Sequence, residues 1–362
     1  MRRCQAHDAG YRAGAGVSSA RALRIAVVGA ATLIGEAVLE ELRARRVPYA
    51  ELHALDEAHA LGGERGGASI EDDEPRLAIN DVARFDFERV DLALFCGRGS
   101  LSERYAESVA RAAWVIDGSD RFSNREDVPL VAADVNPQVL EALSAPRLIA
   151  LAGSASVALA TALAPLDAWA GAERVDVVSL HAVSGSGRGA VDELAAETVS
   201  LLSGRPARGR AYGTQIAFNV IPQVGRLHEE GGSGEERRVA RETCRLLGSP
   251  ALSINSTAVR VPVFFGHSVA VHAQFARAVS VAGAREILQR GTGLELIETD
   301  SDAEFPTPAT FATAPHKVYL GRLRMDGTRD RALNFWVVAD NVRKCAAHNA
   351  VSVAQILVNH YL

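Results

Sequence analysis

The chain of 362 residues has only four cysteines, Cys4, Cys96, Cys244 and Cys345, and no two stand at metal-ligand spacing. A disulfide framework in so long a chain is not expected, and scattered single thiols suit a reducing cytoplasm. The ten histidines form no HExxH and no tight cluster, so the sequence offers no metal site. No segment is long and apolar enough to span a bilayer. The first 22 residues are small, polar and Gly/Ala-rich, without the apolar core of a signal peptide. They read as a mobile tail or as the product of an altered start site. Excess positive charge is also missing. A formal net charge of -5 and a pI near 6.1 argue against nucleic acid or a membrane surface as partner. Local basic pairs, Arg237–Arg238 and Arg343–Lys344, read as solvated surface.

What is present is an ordinary globular composition, 48% hydrophobic and 23% charged, with length enough for two domains. The run "LRIAVVGAATLIGEAVLEELRARR" joins a continuous apolar strand, Leu23 to Val28, to a Gly turn. Ile34, Val38, Leu39 and Leu42 then recur at helical spacing. Strand, Gly turn and helix open a Rossmann βαβ unit. The pattern continues with "ELHALD", "DLALFCG", a helix from Glu103 to Ala112, and the strands "WVIDGS" and "VPLVAADVN". The expected fold class is therefore α/β. A Rossmann-like nucleotide-binding domain over residues 23–150 follows the tail and precedes an α+β domain with a mostly antiparallel sheet over 151–340. In that second part "VRVPVFFGHSVAVHAQFA" alternates on both sides of a Gly and reads as a hairpin. Helices are expected near Gly189–Ser203 and Gly234–Leu247. A last amphipathic helix within 341–362 would return to the first domain.

Two local features bear on chemistry. The loop "GAATLIG" runs from Gly29 to Gly35 and lacks the middle glycine of G-x-G-x-x-G, with Thr32 near that position. Gly29 can make the tight turn and Gly35 can let helix pack on strand. Gly29, Ala30, Thr32, Leu33, Ile34 and Gly35 are the candidate cofactor-binding residues; a plain βα turn without nucleotide fits the same residues. Further on, "LDEAHALGG" puts Asp56 or Glu57 where an acid suits a free ribose hydroxyl, which favours NAD over NADP. The second feature is "LAGSASVALA", Leu151 to Ala160. Here a strand meets a helix at Gly153, Ser154, Ala155 and Ser156, a corner where free backbone N–H groups gather. The bland reading of Ser154 is a helix-capping hydroxyl.

The motifs "AVVGA", "VPLVAADVNP", "HAVSGSGRGAVDEL", "QIAFNVIPQ", "RETCRLLG", "VRVPVFFGHS", "FPTP", "YLGRLR" and "NFWVVADNVRKCAAHNAV" together resemble the aspartate-semialdehyde dehydrogenases, from about Arg24 to Leu362. The resemblance implies a dinucleotide cofactor and a homodimer formed through the second domain. It also implies chemistry in which a cysteine attacks the aldehyde, hydride passes to NADP, and phosphate cleaves the thioester. Such a step wants a thiolate, which attacks and leaves readily. Ser154 stands at the cysteine's place, and His181 replaces the neighbouring glutamine. Ser123 replaces the phosphate-binding arginine, although Arg121 and Arg125 are close. The family's Glu-x-x-Lys pair becomes Glu235 and Arg238. Arg260 matches the arginine that grips the substrate carboxylate, and His267 the general acid–base histidine. Asn341, in "VVADN", is carried over as a cofactor contact. Cys345 reads as a helix-packing residue, with a displaced thiol as its alternative.

Substitutions at nucleophile, partner and phosphate site make the chain similar to the Usg branch of this family. The expected function is a dehydrogenase-fold protein with lost or strongly reduced activity, acting as a dimeric binding or regulatory partner for an acidic small molecule. The alternative is an active NAD(P)-dependent dehydrogenase of amino-acid biosynthesis. A third is a Ser154-based acyl transferase or hydrolase using His181 or His267 as base; no GxSxG elbow accompanies it.

Overall fold

The computed structural model describes residues 23–58, 77–143, 145, 147–297, 305–311 and 316–362. The expected N-terminal tail and residues 59–63 of the ribose-side stretch lie outside the described residues. No described helix is long and apolar enough to cross a membrane.

Seven strands form the first sheet: β1 (Arg24–Val28), β2 (Glu51–Asp56), β3 (Ile79–Asp81), β4 (Leu92–Phe95), β5 (Trp114–Asp117), β6 (Leu130–Val131) and β7 (Leu148–Leu151). Their order is β3-β2-β1-β4-β5-β7-β6 and every pairing is parallel. A parallel sheet is covered on both faces, so its strands read as unbroken apolar runs; β4, β5 and β7 are buried throughout. Helices α1 (Leu33–Ala44) and α2 (Gly99–Val109) follow β1 and β4. The expected strand "VPLVAADVN" pairs only at Leu130–Val131. The Asn136 side chain then folds the chain back, accepting from the Ala132 N–H and donating to the Leu130 carbonyl.

Helix α3 (Ser154–Ala170) joins the two domains. Its sequence is apolar nearly all round, which is the pattern of a helix buried on every side. Val157, Leu159, Leu163 and Leu166 share one core with strands of both sheets. The second sheet contains β8 (Ala172–His181), β9 (Ser253–Arg260), β10 (His267–Phe275), β11 (Leu294–Leu296), β12 (Val318–Asp326) and β13 (Arg329–Ala339), in the order β11-β12-β13-β10-β8-β9. Its three central pairings are antiparallel and its two edge pairings parallel. Helices α4 (Arg188–Leu202), α5 (Gly234–Leu247) and α6 (Val281–Leu288) complete this domain.

The hairpin expected around Gly266 does not form. Strand β8 lies between β9 and β10, parallel to one and antiparallel to the other. Alternation marks each segment as a half-buried strand but carries no information about its neighbour. Residues 261–266 step over β8, a span of about 10 Å at the usual strand spacing. That step places Arg260 directly opposite His181 and starts β10 at His267.

The C-terminal segment is not one uniform helix. Residues Arg343–His348 form a π-helical stretch before α7 (Asn349–Tyr361). Val351, Val353 and Leu357 of α7 pack with Ile25, Val27 and Ile149 of the first sheet. Two expected surface cations are in fact withdrawn. Lys344 is 1% exposed and its Nζ donates to Asp134 at 2.6 Å, while Arg238, with 18% of its side chain still exposed, pairs with the fully buried Glu242. A buried cation is held by its partner rather than by water.

Candidate active site and nucleotide loop

The corner after β7 is built around a buried ion pair. On α5, Arg238 and Glu242 stand four residues apart on one face, with Nε 2.7 Å from Oε1. The other carboxylate oxygen accepts the Gly153 N–H at 2.7 Å. Burial opposes the charge on Glu242, but Arg238, the nearby Ser123 hydroxyl and the Gly153 N–H outweigh it and hold the carboxyl below its ordinary range. The Arg238 guanidinium lies against the corner backbone: a Cβ on Gly153 would stand 2.8 Å from its central carbon. Ser154 is the first residue of α3, and Gly153 is the N-cap. The Ser154 hydroxyl donates to the Asn341 carbonyl at 3.0 Å, so it is not the capping group that its position suggested.

Ser123 is buried at this corner and its hydroxyl makes no well-formed hydrogen bond. The flanking arginines turn outward. Arg121 reaches Glu103 and Arg125 reaches Glu107 and Asp127 at the surface. Instead Arg245 of α5 holds the loop by donating to the carbonyls of Ser123, Arg125 and Val128.

A second group gathers at the ends of β8, β9 and β10. The rings of His181 and His267 lie 4.6 Å apart. The Ala182 N–H donates to His267 Nδ1 at 3.2 Å, which leaves the ring proton on Nε2. His181 Nε2 meets the Ser179 hydroxyl at 2.9 Å. Burial, then the Arg260 and Arg238 charges, depress His181 to about 3. Burial, then His181 and Arg260, hold His267 well below its ordinary value. Both imidazoles are therefore neutral near pH 7. Arg260 Nη1 donates to the Ala182 carbonyl at 2.6 Å, and its guanidinium carbon sits 5.5 Å from the Tyr212 ring centre. The buried Arg260 Nε has no partner among the described residues. Glu235, half-buried on α5, is pushed up by burial against the opposing pull of Arg238.

Between the domains lies a cavity of about 190 Å³, lined by Ile34, Cys96, Gly118, Ser154, Asn341 and Cys345 among others. The Asn341 amide is tied to the Ser184 hydroxyl at 3.0 Å and accepts the Gly266 N–H at 2.9 Å. It serves as a knot between the loops around the cavity. Cys345 is 1% exposed, and burial pushes its thiol up to about 12; burial pushes Cys96 up as well. Neither supplies a thiolate at neutral pH.

The glycine loop is spent largely on its own architecture. Gly29 takes φ +84°, and a Cβ there would stand 2.4 Å from Gly97 Cα. A Cβ on Gly35 would meet the Gly29 carbonyl oxygen at 2.2 Å, which is the close helix–strand contact expected of a Rossmann turn. The Gly29 and Ala30 N–H groups donate to the Leu55 carbonyl, and the Ala31 N–H to the Asp56 carboxylate. Asp56 also accepts from the Glu57 N–H. Thr32 caps α1 through the Gly35 N–H and donates to the carbonyls of Gly29 and Cys96. Leu33 and Ile34, at the start of α1, remain with N–H groups directed out of the helix end. These residues fit a dinucleotide: two positions without room for a side chain, a helix N-terminus, and a cavity beside it.

Sequence reasoning missed Glu242, Arg245, Ser184 and Tyr212. The four-residue spacing of Arg238 and Glu242 was the available signal for the first; the others are brought in only by the fold.

A family model described as the semialdehyde dehydrogenase NAD binding domain matches residues 24–143, and one described as the semialdehyde dehydrogenase dimerisation domain matches residues 163–344. The chain is 36% identical to the aspartate-semialdehyde dehydrogenase of Legionella pneumophila, over 94% of this chain and 97% of that protein. It is 37% identical to a USG-1 protein homolog of Pseudomonas aeruginosa, over 94% and 99%. The crystal structure of aspartate semialdehyde dehydrogenase II from Vibrio cholerae superimposes with a TM-score of 0.88 at 35% identity, covering 94% of this chain and all of that one. The chain belongs to the aspartate-semialdehyde dehydrogenase family.

Proposed function

We propose that this protein is a Usg-like member of the family whose dehydrogenase activity is lost or strongly reduced. It acts as a homodimeric binding or regulatory protein for a small acidic ligand. The observation that carries this reading is the state of the Ser154 hydroxyl. It stands where the resemblance implies a thiol, it donates to the Asn341 backbone carbonyl, and no imidazole hydrogen-bonds it among the described residues. An alcohol needs a positioned base to become a nucleophile. The neighbouring thiols are protonated, so none takes over its part.

Ligand binding is the part of the machinery that this reading retains. Arg260 keeps an unspent donor, and Glu235 and Arg238 lie on the same side of the site. The cofactor would be NAD or NADP at Gly29–Gly35, supplying hydride acceptance if any turnover occurs. The dimer is supported by the match to a dimerisation domain and by exposed apolar side chains in that region, among them Val178, Phe218, Val220, Phe264 and Phe265. Three free cysteines among the described residues suit a reducing cytoplasm.

The active reading has one observation in its favour: His267 and Arg260 stand together with an open Nε2 and an open Nε. The test is turnover of aspartate semialdehyde with phosphate and NADP or NAD. Wild type is expected to be nearly inert and Ser154→Cys to gain at least about tenfold. Wild-type turnover in the ordinary enzyme range of about 1–1,000 per second would reverse the reading. A fluorophosphonate probe addresses the acyl-transfer reading. Labelling of wild type that disappears in Ser154→Ala would support it, and the hydroxyl's orientation argues for no labelling.

A further inference from the structure

Away from the site described above, folding brings three potential metal ligands to one point. The histidines are scattered along the sequence, yet two of them meet in the structure. His316 Nδ1 lies 3.2 Å from His348 Nδ1, and that same His348 nitrogen lies 3.0 Å from Glu41 Oε1. Ligand atoms of all three residues fall within 4.8 Å of one another. Glu41 is in the last turn of α1 and His348 closes the π-helical stretch before α7; their side chains are 12% and 15% exposed. His316 is exposed and stands just before β12 of the second sheet.

Hydrogen bonding alone accounts poorly for this arrangement. A ring nitrogen has one proton or one lone pair, directed in the plane of its ring. His348 Nδ1 can therefore serve well only one of the two atoms that face it. Two imidazole nitrogens and a carboxylate oxygen around one point are instead the donor set of a divalent transition cation. At metal–ligand distances of about 2.0–2.2 Å, tetrahedral ligand atoms stand about 3.3–3.6 Å apart, close to the two separations here. Imidazole suits Zn2+, whereas Ca2+ and Mg2+ prefer oxygen alone. The end of α1 also carries about half a negative charge. One cation already uses it. Arg45 Nε donates to Glu41 Oε1 at 2.6 Å, and its Nη2 crowds both ring nitrogens of His348. Its Nη1 is held by Ser352 and Gln355, partners that do not depend on Glu41 or His348.

We propose that Glu41, His316 and His348 form a Zn2+-binding site, completed by water, that clips the chain entering β12 to the end of α1 and the start of α7. Arg45 Nη2 stands in the cation's place and is displaced by it, while Ser352 and Gln355 retain the rest of the guanidinium. The clip joins the second sheet to helices that pack on the first sheet. The exposed His316 gives the metal its way in. The site is remote from Ser154 and does not depend on how that corner is read.

Zn2+ titration of the chelator-treated full chain, in competition with a chromogenic chelator, tests this. Wild type should bind with a Kd below about 100 µM. His316→Ala should weaken that binding by about tenfold or more, and Glu41→Gln likewise. Arg45→Gln, which removes a competing positive charge, should bind at least as tightly as wild type. Zn2+ should raise the unfolding temperature of wild type and leave that of His316→Ala unmoved. Because His316 is exposed, His316→Ala without metal should unfold like metal-free wild type, which separates lost binding from misfolding. Equal Zn2+ affinity of wild type and His316→Ala would mean adventitious binding elsewhere, at His181 and His267 for example, and would overturn the proposal. So would wild-type binding weaker than about 100 µM, or weaker binding by Arg45→Gln.

Discussion

At the ends of β8, β9 and β10, Arg260 Nε and His267 Nε2 have no hydrogen-bond partner among the described residues. At the corner before α3, the Ser154 hydroxyl, the Gly153 N–H and the Arg238 Nε are all engaged by the protein itself, and the buried Ser123 hydroxyl is the exception. The first region is arranged like a site waiting for a ligand, because an unpaired buried donor is costly unless something arrives to accept from it. The second is arranged like an internal joint. The arginine against Gly153 and its buried glutamate now brace the helix end.

The sharpest way to break this comparison is to cut the joint. Glu242→Gln removes the hydrogen-bonded carboxylate from Arg238, whose side chain is only 18% exposed, and should destabilise the fold by about 3–5 kcal/mol. Chemical denaturation measures it; a loss below about 1 kcal/mol would mean that the corner is not braced by this pair.

Acid should weaken the other region. His181 and His267 have depressed values when folded, so the unfolded chain binds more protons and stability rises with pH. Their contribution is complete above about 6.5, the ordinary histidine value. It is lost as pH falls from there toward about 3, the folded value of His181. The slope should reach at most about 1.4 kcal/mol per pH unit for each histidine. A stability–pH profile of wild type against His181→Gln reads it, and superimposable profiles between pH 6.5 and 4 would contradict the assignment.

Arg260→Gln should weaken an acidic ligand such as aspartate semialdehyde by about 1.5–3 kcal/mol, the usual value of a hydrogen bond to a charged group. Unchanged calorimetric affinity would show that the open Nε has no part in binding. The smallest effect is expected from Gly153→Ala. Its new Cβ displaces the Arg238 guanidinium, a flexible group but one already paired, and should cost about 1–2 kcal/mol. Combining it with Arg238→Lys should cost less than the sum of the two, and strict additivity would disprove the contact.

Much of the fold was legible along the chain. The first strand is an unbroken apolar run, α1 shows a helical period, and the Gly turn between them has few alternative uses. The strand-to-helix corner at Ser154 was equally plain. The misreadings share one cause. Alternation around Gly266 described two strands correctly but not the third that separates them. Arg238 and Lys344 read as surface charges because isolated charges usually face water, and here Glu242 and Asp134 supply much of what water would. Ser154 looked like a cap because serine at a helix start usually is one, yet its hydroxyl donates to the backbone carbonyl of Asn341, just past the end of β13.

By itself, then, the order of residues determined the local elements, the lack of sulfur at the corner and the glycines on which the Rossmann turn depends. These are properties of near neighbours in the chain, where sterics and periodicity act directly. Tertiary structure alone decided which strands pair, which charges are withdrawn from water, and that His316 and His348 meet beside the end of α1. Those outcomes depend on contacts between residues far apart in sequence, and burial sets their strength.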